Sequence, residues 1–161
     1  MSDILESAAV ARVRNALAQA KIAAEIVELP GAARTAKAAA EFLGCELGQI
    51  ANSLVFRAVT SGEPLLVMSS GAKRVDLERL ASVAGEPVAK ADAEFVKRST
   101  GFAIGGVAPV GHVAPLRTWV EESLAAYPDL WAAAGHPHTV FRLAYADLLR
   151  ITGGAAIRAA A

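Results

Sequence analysis

The segment from Gly101 to His112 carries residue types suited to holding a ligand through the protein backbone. It contains four glycines and one proline and has no charged side chain. Because glycine has no Cβ, a ligand can approach the main chain closely and meet its N–H groups. Proline restricts the residue before it, so Ala108–Pro109 is expected to be extended or in a turn. The segment is a candidate for binding a ligand's oxygen atoms, with a tight buried turn between two strands as the alternative.

The three histidines, His112, His136 and His138, are the next candidates for chemistry. Zinc requires three or four ligands in a defined geometry. His136 and His138 flank a proline instead of forming a His-x-x-x-His pair, and Cys45 is distant in sequence. We therefore expect no metal and no other cofactor. Cys45 would be a nucleophile only with a histidine beside it, and a lone cysteine after a helix more often fills the core.

The common catalytic motifs are absent from the sequence. Ser69 and Ser70 do not lie in a Gly-x-Ser-x-Gly elbow. The glycines of the 101–112 segment fit neither a dinucleotide fingerprint nor a P-loop. Lys73–Arg74 forms a basic turn that is either a solvated surface or a phosphate contact. Composition and spacing alone thus indicate, at most, a hydrolase without a side-chain nucleophile.

The length and the net charge of the chain limit the classes of protein to which it can belong. A chain of 161 residues with 54% apolar residues suits a single domain over 1–161 with a substantial core. Because 16 basic and 16 acidic residues cancel, broad nucleic-acid binding is not expected, although a compact basic patch remains compatible with binding one end of a nucleic acid. One cysteine excludes an internal disulfide, and no apolar run reaches the roughly 18 residues of a membrane span. We expect a cytoplasmic protein with no membrane partner.

Hydrophobic spacing and turn residues predict short elements along the whole chain. An amphipathic helix is predicted over Asp3–Lys21. Further helices are predicted over 36–43 (with Thr35 as N-cap), 77–83, 92–98, 121–127 and 144–150. Strands are predicted over 25–29, 52–59, 64–69, 88–89, 112–120, 130–134 and 139–143, and the tail 155–161 is a short strand or a frayed end. This pattern indicates an α/β (α+β) domain with a mixed sheet surrounded by short helices.

Four motifs, in their order and spacing, resemble the YbaK/EbsC family, the stand-alone relatives of the editing domain inserted in bacterial prolyl-tRNA synthetases. The resemblance runs from about Lys21 to Arg158. The motifs are Thr35-Ala-x-x-Ala-Ala-x-x-Leu-Gly, Ile50-x-Asn-Ser-Leu-Val-Phe56, Gly105-Gly-Val-Ala-Pro-Val-Gly-His112 and Gly135-His-Pro137. The Gly-x-x-x-Pro segment from Gly105 to Pro109 is the most specific of them.

The resemblance implies hydrolysis of the ester that joins a wrong amino acid to the 3′-terminal adenosine of a tRNA. It implies a mixed α/β fold, a small pocket closed by the Gly105–Pro109 segment, no metal, and recognition of the aminoacylated CCA end. Water would attack the ester, assisted by the ribose 2′-hydroxyl. The substrate expected first is a small mischarged amino acid on tRNA-Pro, with an aminoacyl-tRNA synthetase as a second partner. The oligomeric state is left open.

The resemblance also implies roles for particular residues. Catalytic roles are expected for Asn52, Gly105, Gly106 and His136. Substrate binding is expected for Thr35, Ser53, Ser70, Lys73, Ala108, Pro109, Gly111 and His112. A basic rim of Arg34, Lys37, Lys73 and Arg74 around the loop would favour tRNA over a small free ester.

Asn52 departs from the family pattern, because many members carry a functional lysine at that position. Asparagine donates a hydrogen bond but brings no positive charge. Three explanations stay open: an altered specificity, a charge supplied by Lys73 from another direction, or weak or lost activity. The last explanation supports a rival hypothesis, in which the chain is a non-catalytic module that binds a tRNA end or an aminoacyl ligand.

Overall fold

A computed structural model describes residues 3–158, and a mixed sheet lies at the centre of this part of the chain. The sheet strands are β1 (Val27–Glu28), β2 (Ile50–Ala58), β3 (Pro64–Ser70), β4 (Val88–Lys90), β5 (Arg117–Glu121), β6 (Leu130–Ala133), β7 (Thr139–Leu143) and β8 (Ala155–Ile157). The helices are α1 (Ala8–Gln19), α2 (Ala36–Leu43), α3 (Leu77–Ala84), α4 (Ala93–Thr100) and α5 (Tyr145–Thr152). Two 3₁₀ turns cover Leu47–Gln49 and Glu122–Ala126.

The strand order is β1-β7-β6-β2-β3-β5-β8, and β4 pairs with β2 outside this path. The pairs β1/β7, β6/β7, β2/β3 and β2/β4 are antiparallel, while β2/β6, β3/β5 and β5/β8 are parallel. The predicted single α/β domain with a mixed sheet is therefore correct. None of the helices within residues 3–158 is long and apolar enough to cross a bilayer.

Strand β2 has a continuous neighbour on only one of its two edges. On the β3 side, pairing runs without a break from Ala51 to Arg57. On the other side, β6 pairs with Ile50 and Ala51, and β4 pairs with residues 56–58. No strand within residues 3–158 pairs with residues 52–55 on that side. A gap thus opens along β2 between the residues that pair with β6 and the residues that pair with β4.

Both faces of the sheet are buried, as the alternation of β3 shows. Leu66 and Met68 belong to a core cluster that also contains Val13 of α1, whereas Leu65 and Val67 pack into a second cluster with Leu80 of α3. Successive side chains of a strand point to opposite faces, so the two clusters lie on opposite sides of the sheet. The 101–112 segment contributes to the α1 side through residues 102, 107, 108 and 110.

The structure differs from the predicted elements mainly at their ends. Helix α1 begins at Ala8 instead of Asp3, because the Ser7 side chain accepts a hydrogen bond from the N–H of Val10 and caps the helix there. The predicted strand 112–120 is formed only from Arg117, since the preceding residues pair with no strand. The predicted helix 121–127 is a 3₁₀ turn. Residues 155–157 do form a strand, and the rest of the predicted tail, 159–161, lies outside the described residues.

The turn between β6 and β7 packs directly against α1 at Gly135. This glycine has φ +107°, and a Cβ placed on it would lie 2.9 Å from the carbonyl oxygen of Ala9. We expect Gly135→Ala to lower the free energy of unfolding by more than the roughly 1–3 kcal/mol of backbone strain alone, because α1 must also move. The matched control is Gly44→Ala, where φ is +64° and nothing lies within 4 Å of the added Cβ. Urea denaturation compares the variants, and equal losses would contradict close packing of this turn.

Candidate active site

A pocket of about 150 Å³ lies at the gap along β2. Its walls come from the start of α2, residues 50–54 of β2, the strands β6 and β7, and residues 104, 105 and 107 of the glycine-rich segment. The structure brings four of the predicted site residues together in this one lining: Thr35, Asn52, Ser53 and Gly105. Arg34, expected in the basic rim, also lines it and is exposed, whereas Lys37 does not line it.

Asn52 is an uncharged polar side chain of the pocket that is available to a ligand. It is half-buried on the part of β2 that has no neighbour on the gap side. Within residues 3–158 its carboxamide makes no hydrogen bond, whereas the Ser53 hydroxyl lies 3.3 Å from the sulfur of Met68. The Thr35 hydroxyl accepts the N–H of Ala38 and caps α2. Asn52 therefore offers both a donor and an acceptor.

Residues of the glycine-rich segment that line the pocket have N–H groups without a hydrogen-bond partner within residues 3–158. Gly105 has φ +91°, a conformation that favours glycine. The N–H of Gly106 already donates to the carbonyl of Ala103 at 2.9 Å. The N–H groups of Ile104, Gly105 and Val107 make no hydrogen bond within the described chain, and all three residues line the pocket. These groups are candidate donors to a carbonyl or an oxyanion.

Gly106 fixes the segment against the turn that contains His136. A Cβ on Gly106 would lie 2.8 Å from the Cα of His136 and 2.9 Å from its nitrogen. These neighbours are backbone atoms, so they cannot rotate away as a flexible side chain would. The contact therefore requires glycine and sets how closely the two loops approach one another.

His136 is held as a neutral ring beside the pocket. Its Nδ1 accepts the N–H of His138 at 3.0 Å, so the neutral ring carries its proton on Nε2. Burial, and then the charge of His138, lower the pKa of His136. The ring does not line the pocket, although Pro137 and Thr139 do. The predicted catalytic role of His136 stays a prediction, and the geometry gives it a place next to Gly106.

Four other predicted binding residues lie on the glycine-rich segment but outside the pocket. Ala108 and Pro109 are buried. The imidazole Nε2 of His112 donates to the carbonyl of Ala108 at 2.7 Å and closes the turn. Gly111 and His112 line a separate cleft that also borders the end of α1. Their predicted contacts with a substrate stay predictions.

Ser70 is buried at the end of β3 and also lies outside the pocket lining. Its hydroxyl donates to the carbonyl of Gly48 at 3.1 Å and accepts the N–H of Ala72 at 3.3 Å. These bonds connect β3 to the turn before β2. The structure thus gives Ser70 a bracing position at the start of the gap.

A wider groove of about 570 Å³ adjoins the pocket, and the two share residues 53, 54, 104, 105 and 107. Its lining contains three exposed cations, Lys73, Arg74 and Lys90, and no acidic residue. None of the three enters a salt bridge within residues 3–158. The sequence suggested the Lys73–Arg74 pair but not Lys90. No motif marks Lys90, because only the pairing of β4 with β2 brings it to the groove.

Cys45 lies apart from this site, beside a small cluster that includes Ala39, Ala40 and Ile50. Burial raises the pKa of its thiol, which favours the protonated form over a nucleophilic thiolate. Within residues 3–158 no three His, Cys, Asp or Glu side chains are grouped so that they could hold a metal ion.

The fold and pocket place the chain in a known class. A family model of the aminoacyl-tRNA editing domain matches residues 31–151, and the chain belongs to this family. A protein of Enterococcus faecalis named as a candidate Cys-tRNA(Pro)/Cys-tRNA(Cys) deacylase, EbsC, is 29% identical over 121 residues, which are 74% of this chain and 73% of the relative. YwhH of Bacillus subtilis is 26% identical over 124 residues, 77% of this chain and 78% of YwhH.

A solved structure extends the comparison to the whole fold. The crystal structure of a candidate trans-editing enzyme for prolyl tRNA synthetase matches with a TM-score of 0.89 and 42% identity, covering 96% of this chain and 98% of that one. The resemblance to the YbaK/EbsC family and the predicted fold are therefore confirmed. Family and relatives together support an aminoacyl-tRNA deacylase function for the chain.

The two histidines with lowered pKa values predict that stability falls as the solution becomes acidic. Burial is the main cause of a His112 pKa below the ordinary 6.5, and the His136 pKa is lowered too. Below 6.5 the unfolded chain binds more protons than the folded one, so this contribution is fully present above 6.5 and is lost as pH falls towards the folded pKa values. We expect urea unfolding between about pH 7.5 and 5.5 to show this loss.

His112→Gln provides the comparison for this prediction. Glutamine keeps a donor for the Ala108 carbonyl but does not titrate. The variant should lose less stability than the parent chain over the same pH interval. Identical pH slopes for the two proteins would contradict a buried neutral His112.

Proposed function

We propose that the protein hydrolyses the ester of a mischarged small amino acid on a tRNA, acting in trans. The observation that carries the proposal is the pocket at the β2 gap, where the free carboxamide of Asn52 and the unused N–H groups of Gly105 and Val107 line one small cavity. This set of groups suits a planar acyl group and the oxyanion formed from it. An aminoacyl ester is already activated, so it requires no protein nucleophile.

In the proposed reaction, a water molecule attacks the ester carbonyl and the carbonyl oxygen becomes an oxyanion. The N–H groups of Gly105 and Val107 stabilise this charge, an effect worth about 3 kcal/mol per well-placed donor. The intermediate then breaks its bond to the ribose oxygen, which leaves with the proton that the attacking water gives up. The products are a free amino acid and an uncharged tRNA. The neighbouring 2′-hydroxyl orients the attacking water.

Asn52 and His136 have distinct proposed roles in this reaction. Asn52 donates a hydrogen bond to the substrate from the floor of the pocket, without the charge that a lysine would bring. His136 acts on the geometry of the loop through its backbone contact with Gly106. The positive charge needed for the tRNA end comes from Lys73 and its neighbours in the adjoining groove.

The lining of the pocket favours a small amino acid without a positively charged side chain. Ile50, Trp131 and Val140 supply apolar walls, and the charged side chain among the described lining residues is the cation Arg34. Such a pocket discriminates by size, although one methylene changes binding by only about 1–3 kcal/mol. The names of two relatives, which refer to prolyl tRNA synthetase and Cys-tRNA(Pro), support tRNA-Pro as the first substrate to test. The proposed reaction belongs in the cytoplasm, with a synthetase as the proposed second partner.

Deacylation of a panel of mischarged tRNAs tests the proposal. Purified protein is incubated with alanyl-, seryl-, threonyl- and cysteinyl-tRNA-Pro, and ester loss is followed against buffer. We expect Gly106→Ala to reduce kcat by about 100-fold, because the new Cβ forces the donors away from the oxyanion. Gly62→Ala, at an open hairpin position where nothing lies within 4 Å of the added Cβ, is the control for glycine replacement.

Variants of Asn52 distinguish the proposed enzyme from the rival hypothesis of a non-catalytic binding module. Asn52→Ala should lower kcat/KM by about 10-fold if the carboxamide orients the substrate. No ester loss above buffer with any member of the panel would rule out the deacylase. Binding of a non-hydrolysable aminoacyl-adenosine without turnover would then favour the module, and activity gained by Asn52→Lys would identify the missing charge as the reason.

The groove predicts a salt-dependent contact with the 3′ end of the tRNA. Each phosphate contact that is lost lowers the slope of log affinity against log salt concentration by about 0.7–0.9. Lys90→Gln should therefore weaken binding and flatten this slope, because Lys90 lines the groove and makes no salt bridge. Lys21→Gln removes an exposed charge that lines no described cleft, and it should leave the slope unchanged. Equal slopes in all three proteins would exclude the groove as the phosphate contact.

A further inference from the structure

Helix α1 lies outside the segment 31–151 that matches the editing-domain family, yet it contacts both loops of the site. The Ala9 carbonyl borders Gly135, and the backbone of Arg12 borders Gly111. Val13 and Leu17 share a core cluster with Val107. The side chain of α1 that reaches the glycine-rich segment by hydrogen bonds is Arg12.

Arg12 bonds to both ends of the glycine-rich segment with one guanidinium. Its Nε donates to the carbonyl of Gly111 at 3.1 Å, and its Nη2 donates to the carbonyl of Gly101 at 2.8 Å. The guanidinium is planar and its donors have fixed directions, so these bonds define the separation of the two carbonyls. Lysine has a single nitrogen and cannot reproduce that arrangement.

The surroundings of the guanidinium hold it in place. Its central carbon lies 4.9 Å from the ring centroid of Phe102, which is fully buried. His112 meets the same ring edge-on, with centroids 6.0 Å apart, and donates to Ala108. Arg12 enters no salt bridge within residues 3–158. Its charge is therefore directed towards the loop carbonyls and the aromatic ring.

We propose that Arg12 is a positioning residue for the deacylation reaction, and this inference rests on the proposed function. By fixing the carbonyls of Gly101 and Gly111, it sets the path of the intervening chain and the direction of the Gly105 and Val107 N–H groups. A misplacement of about 1 Å can cost about 100-fold in rate. Arg12 itself does not line the pocket, so it acts through the loop.

Steady-state deacylation of the best substrate of the panel tests this role with Arg12→Met and Arg12→Lys. We expect kcat to fall by about 10- to 100-fold in Arg12→Met, with KM changed by less than about threefold, because the donors act mainly in the transition state. Arg12→Lys should recover only part of the loss. Arg14→Met is the matched control, because Arg14 lies on the same helix and donates to Leu5 instead of the loop.

The assay is run well below the unfolding temperature of each variant, which separates loss of function from loss of fold. If Arg12→Met does not fold, Arg12→Lys decides, because it keeps the charge and the methylene stem. A kcat within about twofold of the parent in the folded variants would overturn the proposal. An equal loss in Arg14→Met would overturn it as well.

Backbone hydrogen exchange gives a readout that does not depend on activity. We expect peptides spanning 101–113 to exchange faster in Arg12→Met, with β3 unchanged. Unchanged exchange in this segment would overturn the proposal. If the parent chain hydrolyses no mischarged tRNA, the proposed function fails, while the exchange experiment still decides whether Arg12 holds the loop.

Discussion

The interrupted pairing of β2 is the constraint from which the site follows. A strand inside a sheet normally satisfies its backbone groups on both edges, because an unpaired buried N–H or carbonyl is costly. Among the strands of residues 3–158, none pairs with residues 52–55 on one edge, since β6 pairs only as far as Ala51 and β4 pairs only from Phe56 onwards. The glycine-rich segment lies across this opening and leaves a small cavity in place of a strand. Polar backbone that would otherwise be consumed by the sheet thus becomes available to a ligand.

Charge is divided along the opening in a way that matches the two parts of an aminoacyl-tRNA. At the pocket end, Asn52 offers an uncharged donor and acceptor, and the exposed Arg34 is the charged side chain of the described lining. At the other end, Lys73, Arg74 and Lys90 line a groove without an acidic residue. An ester carbonyl needs oriented dipoles more than net charge, whereas phosphates attract cations through long-range electrostatics. Asn52 brings no positive charge to the pocket, and three cations line the adjoining groove.

Local signals in the sequence were sufficient for much of the fold. Thr35 caps the N-terminus of helix α2 and Gly44 caps its C-terminus, as predicted. The hairpin between β2 and β3 follows from its turn residues. The family motifs contain Thr35, Asn52, Ser53 and Gly105, and the structure places all four in the lining of one pocket. Capping, alternation and turn chemistry act between residues close in sequence, so they can be read directly from it.

Two of the features that the sequence did not reveal depend on distant contacts, and a third depends on the local path of the loop. The hydrogen bond from Arg12 to Gly111 joins residues separated by 99 positions, and no local pattern distinguishes Arg12 from Arg14 on the same helix. Lys90 reaches the groove only because β4 pairs with β2. The engagement of the Gly106 N–H by Ala103 depends on the path of the loop, which the glycine and proline content alone leaves undetermined.

Because Arg12 bonds to the loop, the segment that positions the pocket extends beyond the segment that the family model matches. The segment matched by the family model begins at residue 31, after the end of α1. The mechanical unit that shapes the pocket includes α1, because both ends of the glycine-rich segment are anchored to it. Selection on the rate of editing would thus act on a helix that a comparison limited to the shared segment omits. Relatives with similar pockets but different first helices would differ in catalytic speed more than in their choice of amino acid.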